Sequence, residues 1–94
     1  MSLFLEELDQ IIASRKQSPS DDSYTSQLFE QGIDRILRKV GEESGELIIA
    51  GKNNDTEELC NEASDLLYHL LVLLHHHGRS LSDIDTVLRS RHQK

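Results

Sequence analysis

Ninety-four residues, 36% of them apolar, 29% charged and 4% aromatic, with one proline, one cysteine and no tryptophan, allow a single small domain over residues 1–94. Fifteen leucines against three valines favour helices over a sandwich, a barrel or a disulfide scaffold, so an all-α fold is expected. Seventeen acidic against ten basic residues, a formal net charge of −7, lack the electrostatic footprint of a nucleic-acid binder and argue against DNA or RNA as a partner.

In chain order, Leu5, Leu8, Ile11 and Ile12 stand at helical spacing and predict a first helix over residues 3–16, with Ser2 as its cap. The stretch QSPSDDS, residues 17–23, holds the only proline and reads as a loop. From Thr25 or Ser26 onward, Leu28, Phe29, Ile33, Ile36, Leu37, Val40, Leu47 and Ile48 recur every three or four positions, which predicts one long second helix that stops at Gly51-Lys52-Asn53-Asn54. A third helix follows a cap at Asp55 or Thr56, carries the apolar pattern from Leu59 to His77, and ends at Gly78. Ser82 with Asp85 three residues later marks the start of a short fourth helix bearing Ile84, Val87 and Leu88, ahead of the charged tail RSRHQK.

Helices two and three form an antiparallel hairpin across the turn at residues 51–55. Leucines and a valine surround much of helix three between Leu66 and Leu74, so it requires burial on every side. Four helices of this size supply too little material for that. A second copy is therefore expected, giving an intertwined helical-bundle homodimer. The same apolar run is interrupted by His69 and is far shorter than the roughly 20 residues of a membrane span. Residues 1–10 carry Glu6, Glu7 and Asp9 without a basic residue, unlike a targeting peptide, and Cys60 is alone, so a cytoplasmic location is expected.

An acidic protein can hold a small polyanion such as a nucleotide where its carboxylates first capture a divalent cation. Helix two supplies Glu42, Glu43 and Glu46, and helix three supplies Glu62 and Asp65, with i, i+3 or i, i+4 spacing within each set. Across the hairpin the two sets face each other beside an apolar run. Like charges so placed repel, and Mg²⁺, which prefers oxygen ligands, is the expected compensation. More ordinary roles stand beside this one: Glu42 in a solvated face or paired with Arg38, Glu57 as first-turn charge, Glu58 as a capping acid, and Gly41 and Gly45 as points of close helix packing. Consecutive residues point in different directions on a helix, so His75-His76-His77 reads as C-terminal charge. His69 reads as a satisfied core histidine near the Asp65 face, and Cys60 as packing.

Ser23-Tyr24-Thr25, then Leu28, Gly32, Ile36, Lys39, Glu42-Glu43 and Glu46, followed by Glu62-Ala63-Ser64-Asp65-Leu66-Leu67-Tyr68-His69, resemble the phosphoribosyl-ATP pyrophosphatases of histidine biosynthesis, within the MazG-like all-α nucleotide pyrophosphatases. The likeness covers about residues 20–80, and its hallmark is EExxE followed at a distance by ExxD, here with fifteen residues between Glu46 and Glu62. The resemblance implies Mg²⁺-dependent hydrolysis of 1-(5-phosphoribosyl)-ATP to 1-(5-phosphoribosyl)-AMP and pyrophosphate. It makes Glu43, Glu46, Glu62 and Asp65 metal ligands and Glu42 the group that orients or deprotonates water. Lys39 and Arg35, one and two turns earlier, are placed to contact phosphate, and Ser23, Tyr24 and Thr25 to contact substrate. Relatives fused to the cyclohydrolase of the next step imply a hand-off of product to a separate phosphoribosyl-AMP cyclohydrolase. Two other readings share the pattern: a MazG-like house-cleaning pyrophosphatase acting on non-standard nucleoside triphosphates, and a non-catalytic helical dimerisation module.

Overall fold

The computed structural model describes residues 3–93 and, among these, contains helices and no strand. The first helix, α1 (Phe4–Gln17), buries Ile12 and ends just before Pro19, whose ring disfavours a helical conformation in the preceding residue. The expected cap, Ser2, lies outside the described residues; the cap position is held by extended Leu3 with no side-chain bond. The loop that follows is pinned by the buried hydroxyl of Ser26, which accepts from the Ser20 amide at 3.0 Å and donates to the Arg15 carbonyl at 3.3 Å.

The long second helix of the sequence reading is two helices, α2 (Tyr24–Gln31) and α3 (Ile33–Lys52), so the described residues hold five helices rather than four. Gly32 separates them with φ 94° and ψ −175°, a conformation essentially closed to residues with a Cβ. Periodicity did not register the break because Leu28 before it and Ile36 after it both bury completely in the same core. The Gly32 amide still closes on the Leu28 carbonyl and the Gly32 carbonyl on the Ile36 amide, so hydrogen bonding continues while the axis turns.

Helix α3 and α4 (Thr56–His76) form the expected antiparallel hairpin, each about 30 Å long by helical rise. Asn54 in the turn has φ 57°, and Asp55 caps α4 by accepting from the Glu58 amide at 3.1 Å. The last helix, α5 (Leu81–His92), starts at Ser80–Asp83, not at Ser82–Asp85, and runs through most of the expected tail. Both pairs fit the same capping pattern. A distant residue selects between them: Asp9 on α1 accepts from the Leu81 amide at 3.1 Å and also bonds His75 Nε2 at 2.8 Å, tying both ends of the α4–α5 connection to α1. Asp85 instead pairs with Arg89 at 2.7 Å along α5.

The core is Ile12, Leu28, Ile36, Leu71 and Val72, with Leu5, Leu8, Phe29, Tyr68 and Leu81 packed against it. It therefore sits where α1, α2, the start of α3 and the C-terminal half of α4 meet. The turn end of the hairpin projects beyond it, leaving Ile48 70% and Ile49 62% exposed. Helix α4 is not covered on every side within one chain, since Leu67 remains 47% exposed.

Candidate functional site

The acids of the two hairpin helices divide into a buried chain of hydrogen bonds and a crowded group at the turn end. Glu43, 9% exposed in the middle of α3, places Oε1 2.6 Å from His69 Nδ1 on α4. The same nitrogen lies 3.0 Å from the Asp65 carbonyl, and His69 Nε2 lies 3.1 Å from the Tyr24 hydroxyl. Tyr24 stands edge-on to the His69 ring and stacks with Tyr68, whose hydroxyl bonds Thr25. Three helices thus converge on one buried imidazole.

Burial raises the pKa of the Tyr24 hydroxyl above the ordinary phenol value; the negative charges of Glu43 and Asp65 add to the rise, and the Arg35 guanidinium beside it works against it. Arg35 keeps its Nε buried without a partner, an orphaned donor in the same neighbourhood. Burial also raises Tyr68, with the Thr25 bond opposing.

Toward the turn, Glu62 is 7% exposed and faces the Glu46 and Glu58 carboxylates. Hydrogen bonding with Glu46 and then Glu58, reinforced by burial, pushes its carboxyl up from 4.5 to about 7. Its Oε2 is buried and meets no donor. These groups border a cavity of about 210 Å³ whose wall also includes Asn53, Asp55 and Ile49. A carboxylate oxygen that meets only other carboxylates is satisfied by a proton or by a cation.

The donor set is all oxygen and suits a hard divalent ion. Among the described residues, however, no three His, Cys, Asp or Glu side chains already converge as a chelating group. Glu46 and Asp65 are exposed and Glu43 is held by His69, while Glu46 and Glu62 are already neighbours. Apart from the adjoining residues and backbone of α3 itself, no atom lies within 4 Å of where a Cβ would stand at Gly41 or Gly45, so close packing against another helix of this chain does not account for either.

Glu42 faces solvent, with Lys39 Nζ 3.9 Å from its Oε1, a distance at which an exposed pair contributes little. The Ser23 hydroxyl caps α2, accepting from the Ser26 amide at 3.1 Å, and Thr25 is buried against Tyr68. Of the segment 23–25, Tyr24 presents the most surface, at 42% exposure, while Ser23 is half-buried and Thr25 buried. Two participants were underrated from the sequence. His69 is one turn beyond Asp65 and two beyond Glu62, and Glu58 one turn before Glu62, so i, i+4 spacing alone places both on the acidic face.

Comparison with known proteins gives a consistent answer. Residues 5–92 match the family described as phosphoribosyl-ATP pyrophosphohydrolase. The chain is similar to the phosphoribosyl-ATP pyrophosphatase of Streptococcus sanguinis, with 51% identity over 90 residues, 96% of this chain and 86% of that one. A similar protein of the same name in Clostridium acetobutylicum is 49% identical over 90 residues, 96% of this chain and 82% of that one. The histidine biosynthesis bifunctional protein HisIE of Bacillus subtilis is 51% identical over 90 residues, 96% of this chain but 43% of its own length. The chain thus spans less than half of the bifunctional relative and most of the single-function ones. With nearly all of its residues covered at about half identity, the chain belongs to the phosphoribosyl-ATP pyrophosphohydrolase family.

Proposed function

We propose that the protein hydrolyses 1-(5-phosphoribosyl)-ATP to 1-(5-phosphoribosyl)-AMP and pyrophosphate in a Mg²⁺-dependent reaction, the second step of histidine biosynthesis, in the cytoplasm. Family membership supports the substrate. Glu62 carries the metal assignment: a buried carboxylate oxygen with no donor, crowded by further carboxylates, is a position that a cation stabilises. Glu43, Glu46, Glu62 and Asp65 are the proposed ligands.

Bound Mg²⁺ would neutralise the triphosphate charge and polarise the phosphorus under attack. The chain's own groups supply the rest. Lys39 and Arg35 hold phosphate oxygens, and the unpartnered Arg35 Nε is a donor available to do so. Glu42, free in solvent apart from its long contact with Lys39, orients the water or takes its proton. Water adds across the α–β anhydride: its oxygen ends on phosphorus, the anhydride bond breaks, and pyrophosphate leaves with the electron pair. Tyr24 contacts the substrate from the surface of the 23–25 segment, where Ser23 and Thr25 hold the backbone. Fusion of the two activities in the HisIE relatives supports a hand-off of product to a separate phosphoribosyl-AMP cyclohydrolase.

The active form is proposed to be a homodimer. One chain exposes 6888 Å², whereas a compact monomer of 10.7 kDa exposes about 5,500 Å². The excess coincides with uncovered Ile48, Ile49 and Leu67 on the hairpin.

The test is pyrophosphate release by the purified protein from phosphoribosyl-ATP and from ordinary and modified nucleoside triphosphates, with and without Mg²⁺, beside Glu43→Ala. Mg²⁺-dependent turnover of phosphoribosyl-ATP, abolished in the variant, is expected. Cleavage of other triphosphates alone would transfer the protein to the house-cleaning reading, and no cleavage with any substrate would leave a dimerisation module.

A further inference from the structure

Imidazole Nδ1 of His69 faces two acceptors, Glu43 Oε1 at 2.6 Å and the Asp65 carbonyl at 3.0 Å. A carboxylate and a carbonyl bring no hydrogen of their own, so Nδ1 carries it. In the neutral ring Nε2 is then the acceptor, and the Tyr24 hydroxyl, 3.1 Å away, donates to it. With the ring neutral, the order of donors runs in one direction, from Tyr24 on α2 through His69 on α4 to Glu43 on α3. His69 is 5% exposed and stands edge-on to both Tyr24 and Tyr68, which leaves the ring little freedom to flip.

We infer that His69 is a positioning residue for the Glu43 carboxylate, with the Tyr24 hydroxyl selecting the tautomer that lets it act. This rests on the reading of Glu43 as a cation ligand. A glutamate side chain turns about three bonds and must stop turning to bind an ion. Glu43 has already stopped, held at one oxygen, and its second oxygen is left for a ligand. Partners of this kind orient the groups that hold a metal, and their removal typically weakens metal affinity about 10–100-fold.

The link also connects two parts of the proposed site. Tyr24 is the exposed member of the 23–25 segment, so a substrate that engages its ring acts on the group that sets the His69 tautomer and hence on Glu43. Neither Ser23 nor Thr25 has such a connection, since their hydroxyls are bonded to Ser26 and Tyr68.

The experiment compares the full chain with His69→Leu, His69→Asn, Tyr24→Phe and, as a core control, Val72→Ala. Mg²⁺ and Mn²⁺ affinities are measured by calorimetry, thermal midpoints by circular dichroism, and the His69 tautomer by long-range proton–nitrogen NMR. His69→Leu is expected to weaken ion binding about 10–100-fold. His69→Asn, whose amide nitrogen stands near the place of Nδ1, is expected to recover most of that loss. Tyr24→Phe is expected to weaken binding about threefold to tenfold. Val72→Ala lowers the thermal midpoint without changing ion affinity, which separates positioning from general destabilisation.

Folded His69→Leu with ion affinity within about twofold of the unaltered protein overturns the inference, as does NMR that places the hydrogen on Nε2. If His69→Leu does not fold, His69→Asn, Tyr24→Phe and the tautomer decide. Unaltered protein that binds neither ion overturns the ligand reading of Glu43 together with this inference, whereas intact binding that ignores His69 overturns the inference alone.

Discussion

Glu43 on α3 and His69 on α4 lie 26 residues apart in sequence and share a buried contact of 2.6 Å between Oε1 and Nδ1. The contact joins the hairpin helices halfway along and keeps a carboxylate from being buried without a donor. The same glutamate is proposed to serve as a ligand, and the two roles are separable. Glu43→Gln keeps an acceptor for Nδ1, so its thermal midpoint is expected to stay close to that of the unaltered protein, while pyrophosphate release falls about 100-fold or more. Glu43→Ala loses the contact as well and is expected to cost about 1–2 kcal/mol, because the Asp65 carbonyl remains as an acceptor. Urea denaturation alongside the activity assay distinguishes the two variants.

Glu62 makes stability depend on pH. Crowding by Glu46 and Glu58 raises its carboxyl in the folded state from 4.5 to about 7, so the folded protein holds a proton that the unfolded chain releases earlier. That contribution is complete below about 4.5 and is lost as pH rises through about 7. In the presence of a chelator, the thermal midpoint is expected to fall from pH 5 to pH 8. Glu62→Gln flattens that fall, and millimolar Mg²⁺ removes it by taking the place of the proton. A midpoint that ignores both the substitution and the ion would contradict the assignment.

Gly32 has a conformation that alanine adopts only with strain. Gly32→Ala is expected to destabilise the protein by about 1–3 kcal/mol even though no atom lies within 4 Å of the added Cβ. Gly45→Ala, in a helix interior with equally open surroundings, is expected to stabilise the isolated chain by up to about 1 kcal/mol. Opposite signs in a urea titration would identify backbone conformation, not space, as the determinant at Gly32.

Asp9 serves two partners on distant elements. Asp9→Ala leaves the Leu81 amide and His75 Nε2 without their acceptor and is expected to cost about 2 kcal/mol. Hydrogen exchange reads the location of the effect: loss of protection is expected at the start of α5 and the end of α4, with the α3–α4 turn unaffected.

The uncovered hairpin face gives a test of assembly. Ile48→Asp changes a side chain that is 70% exposed, so within one chain it costs no more than about 0.5 kcal/mol. If a second copy covers that face, the same substitution places a charge in an apolar interface. Light scattering is expected to show the mass of a dimer for the unaltered protein and of a monomer for Ile48→Asp. Identical masses would remove Ile48 from any interface.

Much of this architecture is legible in the sequence. Spacing of three and four places Leu28, Ile36 and the leucines of α4 on helices, the Gly51–Asp55 stretch closes the hairpin, and Asp55 caps α4 as its residue type predicts. The five acids are likewise visible, because helical periodicity alone aligns Glu42, Glu43 and Glu46, and Glu62 with Asp65. Local patterns fail where two local answers are equally good. The apolar rhythm runs through Gly32 unbroken, yet the axis turns there, and both Ser80–Asp83 and Ser82–Asp85 satisfy the capping pattern until Asp9, far away in sequence, captures the Leu81 amide.

The sequence by itself determined the helical class, the hairpin and which acids share a helix face, because these follow from periodicity and residue type, and the order of its motifs along the chain carried the family resemblance. Only the tertiary structure decided which acids are buried and what they touch. Glu43 and Glu62 are both acidic-face glutamates in sequence, yet one meets an imidazole donor and the other meets carboxylates. Spacing marks the shared face, His69 and Glu58 included, but which of its members meet across the hairpin is fixed by the packing of α3 against α4, between side chains remote in sequence.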